Sequence, residues 1–139
     1  MISARNQLDV TLTEVKTGAV NSLIVGRTAS GATLKATVTV DSEKALGLAV
    51  GGSAVFLIKA SNVLIAKNET MKMSATNQLL GTITAIKDGA VNSEVDIDVD
   101  GTAVSAIVTK PSVENLALKV GDKVTAIIKA TQVIVAVRS

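Results

Sequence analysis

The 139-residue chain has no cysteine, histidine, tryptophan or tyrosine, one phenylalanine (Phe56) and one proline (Pro111). Without cysteine there are no disulfides, and without cysteine or histidine the usual zinc ligand sets are excluded. Without histidine, Ser-His-Asp catalysis is excluded too. A single aromatic residue leaves no platform on which the bases of a single strand could stack, so no nucleic-acid partner is expected. Apolar runs such as Ala54-Val55-Phe56-Leu57-Ile58 are far shorter than the ~20 residues a membrane helix needs, so no membrane association is expected. Met1 leads into the first repeat with no charged-then-apolar leader, which predicts a cytoplasmic location. Net charge is only +2. Residues 1–70 carry seven Lys/Arg against five Asp/Glu, and residues 71–139 seven against seven. Neither half attracts a polyanion by bulk charge, although a small anion needs only a few placed cations.

What is present is a repeat. Ser3-Ala4-Arg5-Asn6-Gln7-Leu8 returns as Ser74-Ala75-Thr76-Asn77-Gln78-Leu79. Lys16-Thr17-Gly18-Ala19-Val20-Asn21-Ser22 returns as Lys87-Asp88-Gly89-Ala90-Val91-Asn92-Ser93 at the same shift of 71. Ile58-Lys59-Ala60-Ser61 returns as Ile128-Lys129-Ala130-Thr131 at a shift of 70, so one residue is lost between the second and third blocks. The chain therefore reads as two modules, 1–68 and 71–139, with a polar linker at Lys67-Asn68-Glu69-Thr70. A module this small is marginal alone and is expected to pack on its copy, on other chains, or on both.

Apolar residues make up 47% of the chain, and a core of Val, Ile, Leu and Ala favours strands. Leu8–Leu12 alternates apolar and polar. Its counterpart, Leu80–Ile86, contains Gly81, a bulge signal. Hairpin turns are predicted at Gly18-Ala19 and Gly89-Ala90. In the next strand of the second copy Val91, Ser93, Val95, Ile97 and Val99 share one face; Leu23-Ile24-Val25 is apolar on both faces, the mark of a more covered strand. Further strands are predicted at Leu34–Val40, Val104–Thr109, Ala54–Lys59, Val124–Lys129, Val63–Ala66 and Val133–Val137. Short helices should follow the third strands, capped by Asp41 and Ser42 in one copy and started near Pro111 in the other. Leu46, Leu48, Leu116 and Leu118 should anchor them. The fold class is all-β: two tandem OB-like five-stranded small barrels, each with a short helix between strands 3 and 4. A pair of open five-stranded sheets packed face to face is the alternative.

The carboxylates do not repeat. Asp9, Glu14, Asp41 and Glu43 correspond to Leu80, Ala85, Pro111 and Val113, which argues against paired-carboxylate catalysis and, with no nucleophile and base in view, against an enzyme. What repeats is a set of donors: Ser3/Ser74, Asn6/Asn77, Thr39/Thr109, Lys59/Lys129 and Ser61/Thr131. Hydroxyl O–H, amide N–H and a lysine suit a deprotonated oxyanion, which only accepts hydrogen bonds. Each also has a plainer role. The serines could cap the chain entry, a strand-end lysine is ordinarily a solvated charge, and turn glycines serve backbone angles.

These blocks resemble the Mop module of the molybdenum-pterin-binding proteins, or molbindins. Ser-Ala-Arg-Asn-Gln, Gly-Ala-Val-Asn and Ile-Lys-Ala-Ser/Thr, in order and twice, resemble the tandem, di-Mop form across essentially the whole chain. The resemblance implies an OB-type fold that binds molybdate or tungstate for storage or homeostasis, at interfaces between modules of a homo-oligomer, typically a trimer. A regulatory or delivery role towards a molybdenum-enzyme partner is the alternative. One implied oxyanion site would use Ser3, Arg5, Thr39, Lys59, Ala60 and Ser61, and its second-copy counterpart Ser74, Thr76, Thr109, Lys129, Ala130 and Thr131. A second implied site would use Gly18, Ala19, Val20 and Asn21 with Gly89, Ala90, Val91 and Asn92. Thr76 departs from the arginine of the motif, so its site is expected to bind a dianion more weakly. No cofactor or metal-ligand set is expected. The ligand should be the free oxyanion rather than a pterin complex, since nothing aromatic is available to stack a pterin.

Overall fold

The computed structural model describes residues 1–138, so position 139 of the expected second module lies outside the described residues. The first repeat contains β1 (Asn6–Thr17), β2 (Asn21–Arg27), β3 (Thr33–Thr39), α1 (Val40–Leu46), β4 (Ser53–Ile58), a 3-10 turn at Ala60–Asn62 and β5 (Leu64–Ala66). The second contains β6 (Asn77–Asp88), β7 (Asn92–Val99), β8 (Thr102–Thr109), α2 (Lys110–Asn115), β9 (Lys123–Ile128), a 3-10 turn at Ala130–Gln132 and β10 (Ile134–Ala136). All pairings are antiparallel and form two five-stranded curled sheets of OB-like type. Among the described residues no helix is long and apolar enough to cross a membrane.

The sheets do not coincide with the repeats. One runs β10-β4-β1-β2-β3, the other β5-β9-β6-β7-β8. Each repeat lends its last strand to the other: Ile134 pairs with Leu57, and Leu64 with Ile127. The fifth strand of each module is thus not in its own sheet, contrary to the expectation of two separately closed five-stranded barrels. Alternation identifies a strand but not its partner. The 3-10 turn after β4 packs against β8, and the one after β9 against β3, so the chain has already crossed when the last strand begins.

Two asparagines lock this exchange. Asn6 and Asn77 are each 2% exposed. Asn6 Nδ2 donates to the Ser105 carbonyl at 2.8 Å, and the Ser105 N–H donates to Asn6 Oδ1 at 2.7 Å. Asn77 Nδ2 donates to the Lys35 carbonyl at 2.7 Å, and the Lys35 N–H donates to Asn77 Oδ1 at 2.8 Å. Each amide thus pairs with the backbone of β8 or β3 as a strand would, across the two repeats. Among the described residues no buried side-chain nitrogen or oxygen lacks a partner.

Several local expectations shift. β1 and β6 are longer than their alternation suggested, because register slips between Leu12 and Glu14, and between Ile83 and Ala85, break the pattern midway. Gly81 is not the bulge; a Cβ there would lie 2.6 Å from Ile97 Cγ2, so glycine admits a neighbour. The helix caps are Thr39 and Thr109, extended residues whose hydroxyls accept the Ser42 and Ser112 N–H groups, rather than Asp41 or Ser42. Leu48 and Leu118 are buried as anchors, whereas Leu116 is exposed. Val91 is exposed at a hairpin tip and not on the inward face. The deleted residue belongs to the β2–β3 connection: positions 28–32 lie between the pair Arg27 and Thr33, positions 99–102 between Asp98 and Ala103.

The buried apolar residues of both repeats form one core, to which the two repeats contribute volume at different positions. Val10, Gly26 and Phe56 correspond to Gly81, Ile97 and Ala126. A Cβ on Gly26 would meet Val10 Cγ2 at 2.7 Å and Phe56 Cζ at 2.9 Å. Volume withheld at one position is occupied from another, as close packing demands.

Candidate functional site

The Ser3–Arg5 segment enters β1, and Lys59–Ser61 leaves β4. These strands are antiparallel neighbours with Asn6 opposite Ile58, so both segments emerge at the same end of the sheet. They border a cavity of about 380 Å³ lined by Ser3, Arg5, Lys59, Ala60 and Ser61. Its apolar walls include Leu57, Ile107 of β8 and Ile134 of β10, so both repeats contribute. Ala60 is the buried first residue of the 3-10 turn, while Lys59 is exposed and adopts extended backbone just before it. Among the described residues the Lys59 ammonium makes no salt bridge. The cavity therefore offers one uncommitted cation, two hydroxyls and an apolar surround. Such a place suits a small species that only accepts hydrogen bonds.

Arg5 is different, because it is already paired. Its Nη1 lies 2.6 Å from Glu94 Oε1, and Lys87 Nζ lies 3.3 Å from Glu94 Oε2. The Glu94 side chain is 14% exposed and that of Arg5 56%. A second cavity of about 380 Å³ adjoins this group, lined by Arg5, Lys87, Gly89, Asn92 and Glu94 among others. Arg5 thus stands in the wall between two cavities.

Thr39 and Thr109 do not line the first cavity. Thr39 is paired with Asn21, and Thr109 with Asn92. The Val40 N–H donates to the Val20 carbonyl at 2.9 Å and the Lys110 N–H to the Val91 carbonyl at 3.0 Å. Both threonines therefore sit beside the hairpins Gly18–Asn21 and Gly89–Asn92. Gly18 and Gly89 N–H groups close those turns onto the carbonyls of Asn21 and Asn92, and Ala19, Val20, Ala90 and Val91 are exposed at the tips. In the second copy Thr76 precedes the Asn77 joint, and Lys129, Ala130 and Thr131 belong to the crossing against β3. Ser74 lies just upstream and is exposed.

Carboxylates missed by a search for repeating residues do structural work here. Buried Ser22 donates to Glu43 Oε1 at 2.6 Å, and Thr17 to the same oxygen at 2.7 Å. In the second copy buried Ser93 donates instead to Asp88 Oδ1 at 2.8 Å. The Ser22 hydroxyl, then that of Thr17, holds the Glu43 carboxyl below the ordinary range, with Lys44 adding a smaller pull. The hydrogen bond from Lys67 does the same for Asp122, helped by the Lys119 N–H. A larger cavity, about 660 Å³, lies over β1 and β4 between Arg27 and Arg138 and contains none of the motif residues. Arg138 there is paired with Asp9 at 2.9 Å.

A family model described as the TOBE domain matches residues 2–65 and 73–135. The chain belongs to the TOBE-domain family. Its repeats are two TOBE domains in tandem. It is 38% identical over 136 residues to the molybdenum-pterin-binding protein MopA of Rhodobacter capsulatus, covering 96% of this chain and 51% of that protein. It is 35% identical over 138 residues to the molybdenum transport protein ModE of Herbaspirillum seropedicae, covering 98% of this chain and 51% of that one. The chain thus spans about half the length of these curated relatives. Among solved structures, the cytoplasmic molybdate-binding protein ModG, with molybdate bound, superposes with a TM-score of 0.93 at 40% identity and covers 99% of both chains.

Proposed function

We propose that this tandem TOBE protein binds molybdate or tungstate reversibly and stores it in the cytoplasm, without catalysis. The observation that carries the reading is the meeting of Ser3, Arg5, Lys59 and Ser61 around one cavity, in a chain that matches a molybdate-binding protein from end to end. Molybdate at neutral pH is a tetrahedral dianion whose oxygens accept and never donate. Burying it uncompensated would be costly, and the lysine with its neighbouring donors offsets that cost. The first-copy site uses Ser3, Arg5, Lys59, Ala60 and Ser61, and the second-copy site Ser74, Thr76, Lys129, Ala130 and Thr131. The glycine hairpins form the second kind of site, and Thr39 and Thr109 support them as the helix caps alongside.

The working unit in this reading is a homo-oligomer, a trimer. Val20 and Val91, Val50 and Val120, and Leu64 and Ile134 are exposed at matching positions of the two repeats. Paired exposed apolar residues suit a surface covered by further copies. The end-to-end match with ModG, a cytoplasmic molybdate-binding protein, supports binding of the oxyanion, and storage is the role that needs nothing beyond such binding.

Heat denaturation over a concentration series of sodium molybdate, tungstate, sulfate or single-stranded DNA tests the proposal. Molybdate and tungstate should raise the midpoint in a concentration-dependent way. Equal shifts with sulfate, or a shift with DNA alone, would contradict it.

A further inference from the structure

Glu94 is a carboxylate set against a site read as anion-binding. It is mostly buried, it contacts the guanidinium of Arg5 at 2.6 Å, and it holds Lys87 as well. A negative charge there is unfavourable to a dianion in either adjoining cavity, both of which Arg5 lines. The repeat supplies an internal comparison. By the 71-residue shift Arg5 corresponds to Thr76, and Glu94 to Leu23. The Arg5–Glu94 pair spans the two repeats, and at the equivalent pair of positions, Thr76 of the second repeat and Leu23 of the first, both charges are missing together. Lys16 and Lys87, by contrast, are common to both copies.

We propose that Glu94 is an affinity-setting residue: it occupies Arg5 as an internal counter-ion, and the oxyanion must displace it. The inference rests on the oxyanion reading above. Arg5 then adds less to the first-copy site than its charge suggests, because it must give up one anionic partner, the Glu94 carboxylate, to take another. The first- and second-copy sites come out closer in affinity than an arginine-for-threonine difference alone implies. Because Arg5 borders both cavities, its release from Glu94 to one anion also leaves Lys87, among the described residues, as the remaining counter-charge of Glu94 at the other cavity. Filling the first cavity thereby weakens the second.

Calorimetric titration of the full chain with sodium molybdate tests this on four proteins: unaltered, E94Q, R5Q and R5Q/E94Q. E94Q keeps the shape and removes the charge. It should tighten the strongest class of site by about five-fold or more at low ionic strength, and less in high salt. The gain should shrink in the R5Q background, since the effect runs through Arg5; a merely structural Glu94 would give no such dependence. Melting temperatures identify any variant that fails to fold, and E94L, which copies Leu23, then takes its place with the same expectation. Unaltered protein that binds, with E94Q no tighter, overturns the proposal, as does an equal gain with and without Arg5. No uptake by the unaltered chain overturns the oxyanion reading itself, and this proposal with it.

Discussion

Replacing Asn77 by alanine removes the amide that joins the second repeat to β3 of the first. Two hydrogen bonds disappear, the donation to the Lys35 carbonyl at 2.7 Å and the acceptance from its N–H at 2.8 Å. Each is worth about 1 kcal/mol net, rising to about 2 kcal/mol where the Lys35 backbone group it served is left without a partner. The Asn77 site is 2% exposed, so bulk water does not replace the amide directly, although the vacated space lowers the penalty if one water enters. The sum is a loss of about 2–4 kcal/mol. At this chain length that lowers the melting temperature by roughly 8–15 °C. Urea denaturation with an unchanged slope should report the same loss as a lower midpoint. Gln78→Ala is the neighbouring control, since its amide bonds only to the exposed segment at Met73 and Ala75, and it should cost about 0.5 kcal/mol or less. A loss in N77A no greater than in Q78A would refute the view that the asparagine joins the modules.

Two further outcomes follow from local geometry. Ala117 adopts φ +48° where the first repeat has Gly47 at φ +63°, so A117G should relieve ~1–2 kcal/mol of left-handed strain against ~0.5–1 kcal/mol of added unfolded-state freedom, a small net gain in urea midpoint. Glu43 is held below the ordinary carboxyl range by Ser22 and Thr17, so its contribution is present above the unfolded value near 4.5 and is lost as pH falls through the lower folded value. E43Q should therefore flatten the decline in stability below about pH 4.5 while still accepting both hydroxyls at neutral pH, as read from denaturation at a series of pH values.

The elements were legible because alternation, turn glycines and duplication agree. Val95, Ile97 and Val99 are buried as their spacing requires, and both helices stand where the third strands end. The exchange of β5 and β10 was not legible. A three-residue apolar strand fits either sheet equally, and only the packing of the 3-10 turns decides. Asn6 and Asn77 were visible as repeated donors, but identical hydrogen-bonding capacity serves a ligand or a backbone, and the structure gives it to the backbone. Repetition singled out Lys59 and Ser61, which line the first cavity, but passed over Glu94, because its counterpart Leu23 is uncharged. Thr39 illustrates the same limit: a hydroxyl before a helix suits an anion or a cap, and here it bonds Ser42.

The central claim is that uncommitted cations at the ends of β4 and β9, joined by nearby donors, hold a tetrahedral dianion. Molybdate titration of K59M/K129M tests it most directly, with circular dichroism and sizing to establish that the assembly is intact. The account predicts that uptake at the sites beside the 3-10 turns is lost while fold and assembly persist. Undiminished molybdate uptake by a correctly folded double variant would contradict it.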